Sequence, residues 1–201
     1  MRTLFILLVS VLSFRFCAAQ QCRLTDLSKK YIYAINAERS KNRDGVSHIS
    51  ALKVEIIRKA DLRSVQTLFI KSEPTLDSFS DCAFVSSYVT GKHPEDEGAD
   101  NDWGDLIVAD LNFDGREDVA VKEDSSNSGA IYEFFTQTDS GKFVKNPFLS
   151  GSWFPYKIDA KNKTLTTATA ATTAGQLETV YKYDAASKKW RVLKSVYRKA
   201  K

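Results

Sequence analysis

The stretch DLIVADLNFDGREDVAVKE, residues 105–123, sets two short apolar runs on either side of a carboxylate-rich loop and reads as strand, cation loop, strand. Asp110, Asn112, Asp114 and Asp118 stand at positions 1, 3, 5 and 9 of a calcium loop, with Gly115 at position 6, where the sharp turn needs a residue tolerant of positive φ. Arg116, at position 7, contributes its backbone carbonyl. A hard Ca²⁺ ion takes six to eight oxygens, and a curled loop aims alternate side chains at one centre. A helix-flanked loop of this kind ends in a bidentate Glu at position 12, but that position is Val121, inside a β-branched run. The loop is therefore not an EF-hand. The same residues also suit an Asx-rich hairpin turn that binds nothing, since Asp, Asn and Gly are ordinary turn formers.

Outward from this stretch, the chain reads as strands and turns. Tyr31, Tyr33 and Ile35 alternate, as do Leu52, Val54 and Ile56, and Asn42-Arg43-Asp44-Gly45 supplies a turn between them. Val65 to Ile70 and Cys82 to Val89 read as further strands. His93 to Asp102 is an acidic loop, and Glu123 to Gly129 a loop of small residues. Ala130 to Phe135 is a strand with aromatics on both faces, turned by Asp139 to Lys142 into Phe143 to Lys145. Thr164 to Thr173 favours a strand, Leu177 to Tyr183 pairs with Trp190 to Tyr197, and the basic tail from Lys188 reads as an edge strand. Many short strands with no long helix predict an all-β sandwich, barrel or propeller.

The first nineteen residues read as a leader: Arg2 is the basic start, Leu4 to Phe14 the apolar core, and Cys17-Ala18-Ala19 a small-residue cleavage site. Export is expected, with one β domain over residues 20–201. The apolar run is too short to stay in a bilayer as a spanning helix, and no later segment matches it. Losing Arg2 and Arg15 lowers the formal charge of +4 by two, and the remaining scattered basic residues do not argue for nucleic acid. Cys22 and Cys82 then remain as an even pair in an oxidising compartment, predicting one disulfide worth about 4 kcal/mol in the chain-entropy model.

Catalytic constellations are sparse. There are two histidines, no G-x-S-x-G and no H-E-x-x-H, so no nucleophile and base pair is at hand, and the carboxylates near Asp110 read as cation ligands. The expectation is a protein that is not an enzyme.

Four segments carry a resemblance: Asp110 to Asp118, Ser128-Gly129-Ala-Ile-Tyr132, Gly141 to Leu149, and Tyr181-Lys-Tyr-Asp184. Together they resemble exported bacterial proteins, the periplasmic inhibitors of i-type lysozymes and related type VI secretion immunity proteins. The resemblance covers about residues 100–200. It implies a small propeller-like β fold of about five blades, antiparallel within each, with a calcium loop similar to those of integrin repeats. It also implies inhibition of a lysozyme-like enzyme or other peptidoglycan hydrolase by a loop that enters its active site. That loop carries a Ser-Gly near a Tyr, which places partner binding at Ser126, Asn127, Ser128, Gly129 and Tyr132, with Ser150 to Tyr156 as the other place that fits. Tyr132 would be the anchor and Ser128 the hydrogen-bonding group. The rival expectation is a calcium-stabilised envelope or secreted module that recognises glycan or another protein.

Overall fold

The computed structural model describes residues 21–71, 79, 82, 85, 87–89, 104–126, 129–153, 155, 157–172 and 175–199. The first sheet is a meander of β1 (Gln21–Leu24), β2 (Tyr31–Lys41), β3 (Ser47–Arg58) and β4 (Ser64–Lys71) in that spatial order. The second has the order β10-β8-β7-β6-β5, from β5 (Ser87–Val89), β6 (Leu106–Ala109), β7 (Asp118–Ser126), β8 (Gly129–Gln137) and β10 (Ser152–Trp153), with β9 (Phe143–Lys145) also paired to β8. The third is a meander of β11 (Lys157–Asp159), β12 (Thr164–Thr172), β13 (Gly175–Asp184) and β14 (Lys189–Lys199). All described pairings are antiparallel except β5 with β6.

The middle sheet is covered on both faces, and this explains the unbroken apolar runs of residues 105–123. Leu106, Val108, Val119, Val121 and Phe135 pack with Tyr33, Ile35, Leu52, Val54 and Ile56 of the first sheet. Ile107, Ala109, Ala120, Tyr132 and Phe134 pack on the other side with Leu165, Ile158, Tyr181 and Trp190 of the third. Successive residues of one strand thus feed opposite cores, as period 2 requires. The first two sheets are also joined by Gln66, whose side-chain amide brackets the Phe143 backbone at 2.7 and 2.9 Å.

Turn chemistry follows the sequence. Asn42 Oδ1 accepts from the amides of Asp44 and Val46, and Gly45 takes φ +79°. Cys22 and Cys82 form the expected disulfide. The all-β class holds, in the layered, sandwich-like form. Three sheets, none closed on itself, stand among the described residues where about five blades were expected. Two expectations are corrected. The strand expected from Cys82 is confined, among described residues, to Ser87–Val89. Glu123 to Ser126 is not loop but the end of β7, because Asp124, Ser125 and Ser126 continue pairing with Ile131, Ala130 and Gly129. The acidic loop from His93 to Asp102 lies outside the described residues, as do residues 1–20. Among the described residues no helix is long and apolar enough to cross a membrane.

Candidate metal loop and adjoining cleft

β6 and β7 are neighbours in the sheet, so residues 110–117 must reverse the chain in a tight curl. Phe113 (φ +59°) and Gly115 (φ +82°) take the left-handed conformations that the curl needs. The carboxylate of Asp110 accepts from the amides of Asp114 (3.0 Å) and Gly115 (2.9 Å). Asn112 Oδ1 also accepts from Asp114 N, and Asn112 Nδ2 donates to Asp114 Oδ2 at 2.8 Å. Asp110, Asn112 and Asp114 are thus drawn together by hydrogen bonds within the loop.

Asp118 is buried, and both its oxygens accept main-chain donors: Oδ2 from Leu111 (3.0 Å) and Asn112 (3.3 Å), Oδ1 from Gln137 (2.8 Å). Burial raises its pKa, the Gln137 and Leu111 amides pull it back, and the charges of Asp114 and Asp110 raise it again, leaving it at about 7. Arg116 does more than offer a carbonyl. Its guanidinium lies 2.6 Å from Asp114, 2.9 Å from Asp139 and 3.2 Å from the Gln137 carbonyl.

The donor set of three carboxylates and an amide fits a hard cation. The arrangement is that of a loop satisfying itself: among the described residues no group of three His, Cys, Asp or Glu side chains closes around a metal-sized centre. The Asp110 and Asp118 oxygens that accept main-chain amides keep further lone pairs for an ion, whereas Asp114 Oδ2 is shared with the Arg116 guanidinium and the Asn112 amide. Asp110, Asn112, Asp114, the Arg116 carbonyl and Asp118 are the residues that would hold the ion.

Several groups that secure the loop carry no sequence signal. Ser28, Gln137 and Asp139 are distant in the chain, and only the fold brings them to Glu117, Asp118 and Arg116.

The partner-binding residues fare differently. Ser126 and Gly129 pair across the β7–β8 hairpin, while Asn127 and Ser128 lie outside the described residues. Tyr132, expected as an exposed anchor, is instead 0% exposed, and its hydroxyl donates to the Gly104 carbonyl at 2.8 Å. It faces the core because β8 is an inner strand of the doubly covered sheet. The other place is also more tied down than a loop. Ser150 Oγ accepts from Phe134 N, Gly151 N donates to Tyr132 O, and Ser152 and Trp153 form β10. Phe154 and Tyr156 lie outside the described residues.

Beside the Asp110–Glu117 loop is a cleft of about 520 Å³ between β8–β9, the Asn146–Phe148 corner and the β13–β14 turn. Phe148 stacks on Trp190 at 6.1 Å, and Tyr183 tilts against the same indole at 5.1 Å. Lys188 bridges to Asp139 at 3.2 Å, which also receives Arg116, so a chain of charges ties the third sheet to the metal loop.

The sequence matches no protein-family model and no curated protein. Among solved structures, the chain is similar to a Xanthomonas type IV secretion system related protein. The TM-score is 0.60 at 14% identity, over 91% of this chain and 84% of that one. The likeness is one of fold.

Proposed function

We propose that this is an exported calcium-binding protein that inhibits a peptidoglycan-cleaving enzyme, lysozyme-like or a secreted effector, by placing the tip of the β7–β8 hairpin in its active site. The observation that carries the reading is the fixed root of that hairpin. Asp118 accepts from Gln137 N across its base, the Tyr132 hydroxyl is held by Gly104, and Lys122 is paired with Asp105 at 2.8 Å. A tip on such a base loses little freedom on binding. Tyr132 then acts from within, as the hairpin's internal brace, and contact falls to residues 126–129. Calcium in the adjoining loop would stiffen the same root. The disulfide and the secretion-related structural neighbour support an extracytoplasmic setting, periplasmic or extracellular. The first and third sheets are four-stranded antiparallel meanders, as propeller blades are, which supports the propeller-like reading with the described sheets as three of about five blades.

The test is a panel of i-type, c-type and secreted bacterial muramidases assayed with the purified protein at micromolar excess. Inhibition of one enzyme, lost on Ser126→Ala/Gly129→Ala without a change in melting temperature, is expected; activity of all enzymes undiminished would overturn the target class.

The second reading, a calcium-stabilised module that recognises glycan, is favoured by the cleft. Its aromatic group Phe148, Tyr183 and Trp190 sits beside the amides of Asn112 and Asn146, a combination suited to sugar rings and hydroxyls. Quenching or shift of tryptophan fluorescence by chitin oligosaccharides, removed by Phe148→Ala, would support it.

A further inference from the structure

Half of the large apolar side chains exposed among the described residues belong to β13 and β14: Leu177, Val192, Leu193, Val196 and Tyr197. Val192 is 54% and Leu193 48% exposed. Leu177, Val192 and Tyr197 share one face of the β13–β14 pair, Val196 lies on the other, and Leu193 is at the bulge between them. β14 runs from Lys189 to Lys199 and forms the edge of the third sheet among the described residues.

Pairing with β13 sorts the side chains of β14 by face. Trp190, Val192, Ser195 and Tyr197 lie opposite Tyr183, Tyr181, Thr179 and Leu177, on the face that carries the aromatic core contacts. Lys189, Arg191, Lys194, Val196 and Arg198 lie opposite Asp184, Lys182, Val180, Glu178 and Gln176, on the other. Leu193 is the extra residue at the bulge. One face is therefore apolar and aromatic and the other cationic, and residues 185–201 contain no carboxylate.

We propose that β14 is a docking edge for an extended strand of another protein, whose sequence alternates apolar residues with Asp or Glu. Strand addition supplies main-chain hydrogen bonds, and the alternation supplies selectivity. The partner's apolar residues would continue the Trp190 and Val192 face, and its carboxylates would meet Arg191 and Lys194. A second copy of this chain is the wrong occupant. Antiparallel pairing of β14 with itself across a two-fold keeps the same faces up and sets cations beside cations, which is unfavourable. The edge is independent of the hairpin tip at 126–129, so it can stand or fall without the inhibitor reading.

The experiment uses the full mature chain and two short synthetic peptides, one alternating valine with glutamate, the other valine with lysine. Backbone amide shifts and hydrogen exchange of residues 190–198 are followed during titration. Shifts and protection of β14 by the glutamate peptide are expected, with the lysine peptide weaker by about tenfold or more. Arg191→Glu/Lys194→Glu should reverse that order while leaving the circular dichroism unchanged. Three results would overturn the proposal: β14 amides unaffected by either peptide, equal response to both, or β14 protection that rises with protein concentration alone, which is self-pairing. Binding of anionic vesicles or heparin through β14 that the glutamate peptide does not displace would also overturn it, in favour of a lipid or polyanion surface.

Discussion

The hydroxyl of Ser28 donates to the Glu117 carboxylate at 2.5 Å, joining the first sheet to the last residue of the Asp110–Glu117 loop before β7. The same oxygen accepts from the amides of Lys30 and Tyr31, so one buried side chain closes a turn and anchors the loop. Removing it leaves two amides and a carboxylate short of a partner. Ser28→Ala should destabilise the fold by about 2 kcal/mol, read by chemical denaturation. Combined with Glu117→Gln in a double-mutant cycle, the effects should be non-additive; simple additivity would mean that the contact contributes nothing.

Calcium should raise the melting temperature, because an ion that binds only the folded loop adds stability by mass action. At free calcium near one hundred times Kd the gain is about 2.7 kcal/mol. Asp114→Ala removes a proposed ligand and should abolish the response, whereas Asp44→Ala, in the β2–β3 turn, should leave it intact. Superimposable melting curves in chelator and in millimolar calcium would remove the metal from this account.

The pH dependence follows from Asp118, whose folded pKa lies near 7, above the ordinary carboxylate value. The folded state binds the proton more tightly, so this group's stabilisation is complete at low pH and is lost as pH rises through 7. A cation competes with that proton. The calcium-induced rise in melting temperature should therefore be larger at pH 7.5 than at pH 5.5, measured by scanning calorimetry in matched ionic strength. A calcium response independent of pH over this window would mean that Asp118 is not among the ligands or that its carboxyl is already ionised at pH 5.5.

Lys122 and Asp105 are paired at 2.8 Å with side chains only 6% and 1% exposed. Lys122→Met removes the ion-pair partner of a buried carboxylate and should cost about 3–5 kcal/mol, while Lys122→Met/Asp105→Leu should recover most of it. Urea denaturation of the three proteins checks this; a double variant as damaged as the single would assign the cost to packing.

Much of the fold was legible because its signals are local. The alternation of Tyr33 and Ile35, the Asn42–Gly45 turn, the pairing of Leu177–Tyr183 with Trp190–Tyr197 and the Cys22–Cys82 bond could each be read from neighbours in the chain or from simple counting. So could the curl that gathers Asp110, Asn112 and Asp114. What escaped was long-range. An aromatic at Tyr132 reads equally as an anchor or a core residue, and only the cover that the third sheet provides decides it. The small polar residues Asp124 to Ser126 look like loop, yet the ladder carries them as strand. Arg116 was legible as a loop position, but not as the hub between Asp114, Asp139 and Gln137, since the turn after β8 must first be folded alongside.

The doubly covered middle sheet has a consequence for how its strands find one another. A strand with one wet face is held in register by hydrophobicity, because a one-residue slip would turn its apolar set to solvent. β6 and the start of β7 have no such penalty, since Leu106 and Val108 could trade faces with Ile107 and Ala109 and remain in oil. Selection against the slipped alignment must come from the polar groups at the strand ends: Asp105 with Lys122, Gly104 with the Tyr132 hydroxyl, and Asp118 with the Leu111 and Gln137 amides. These contacts act as alignment pins, and a protein freed of them would be expected to keep its compactness while populating more than one strand alignment.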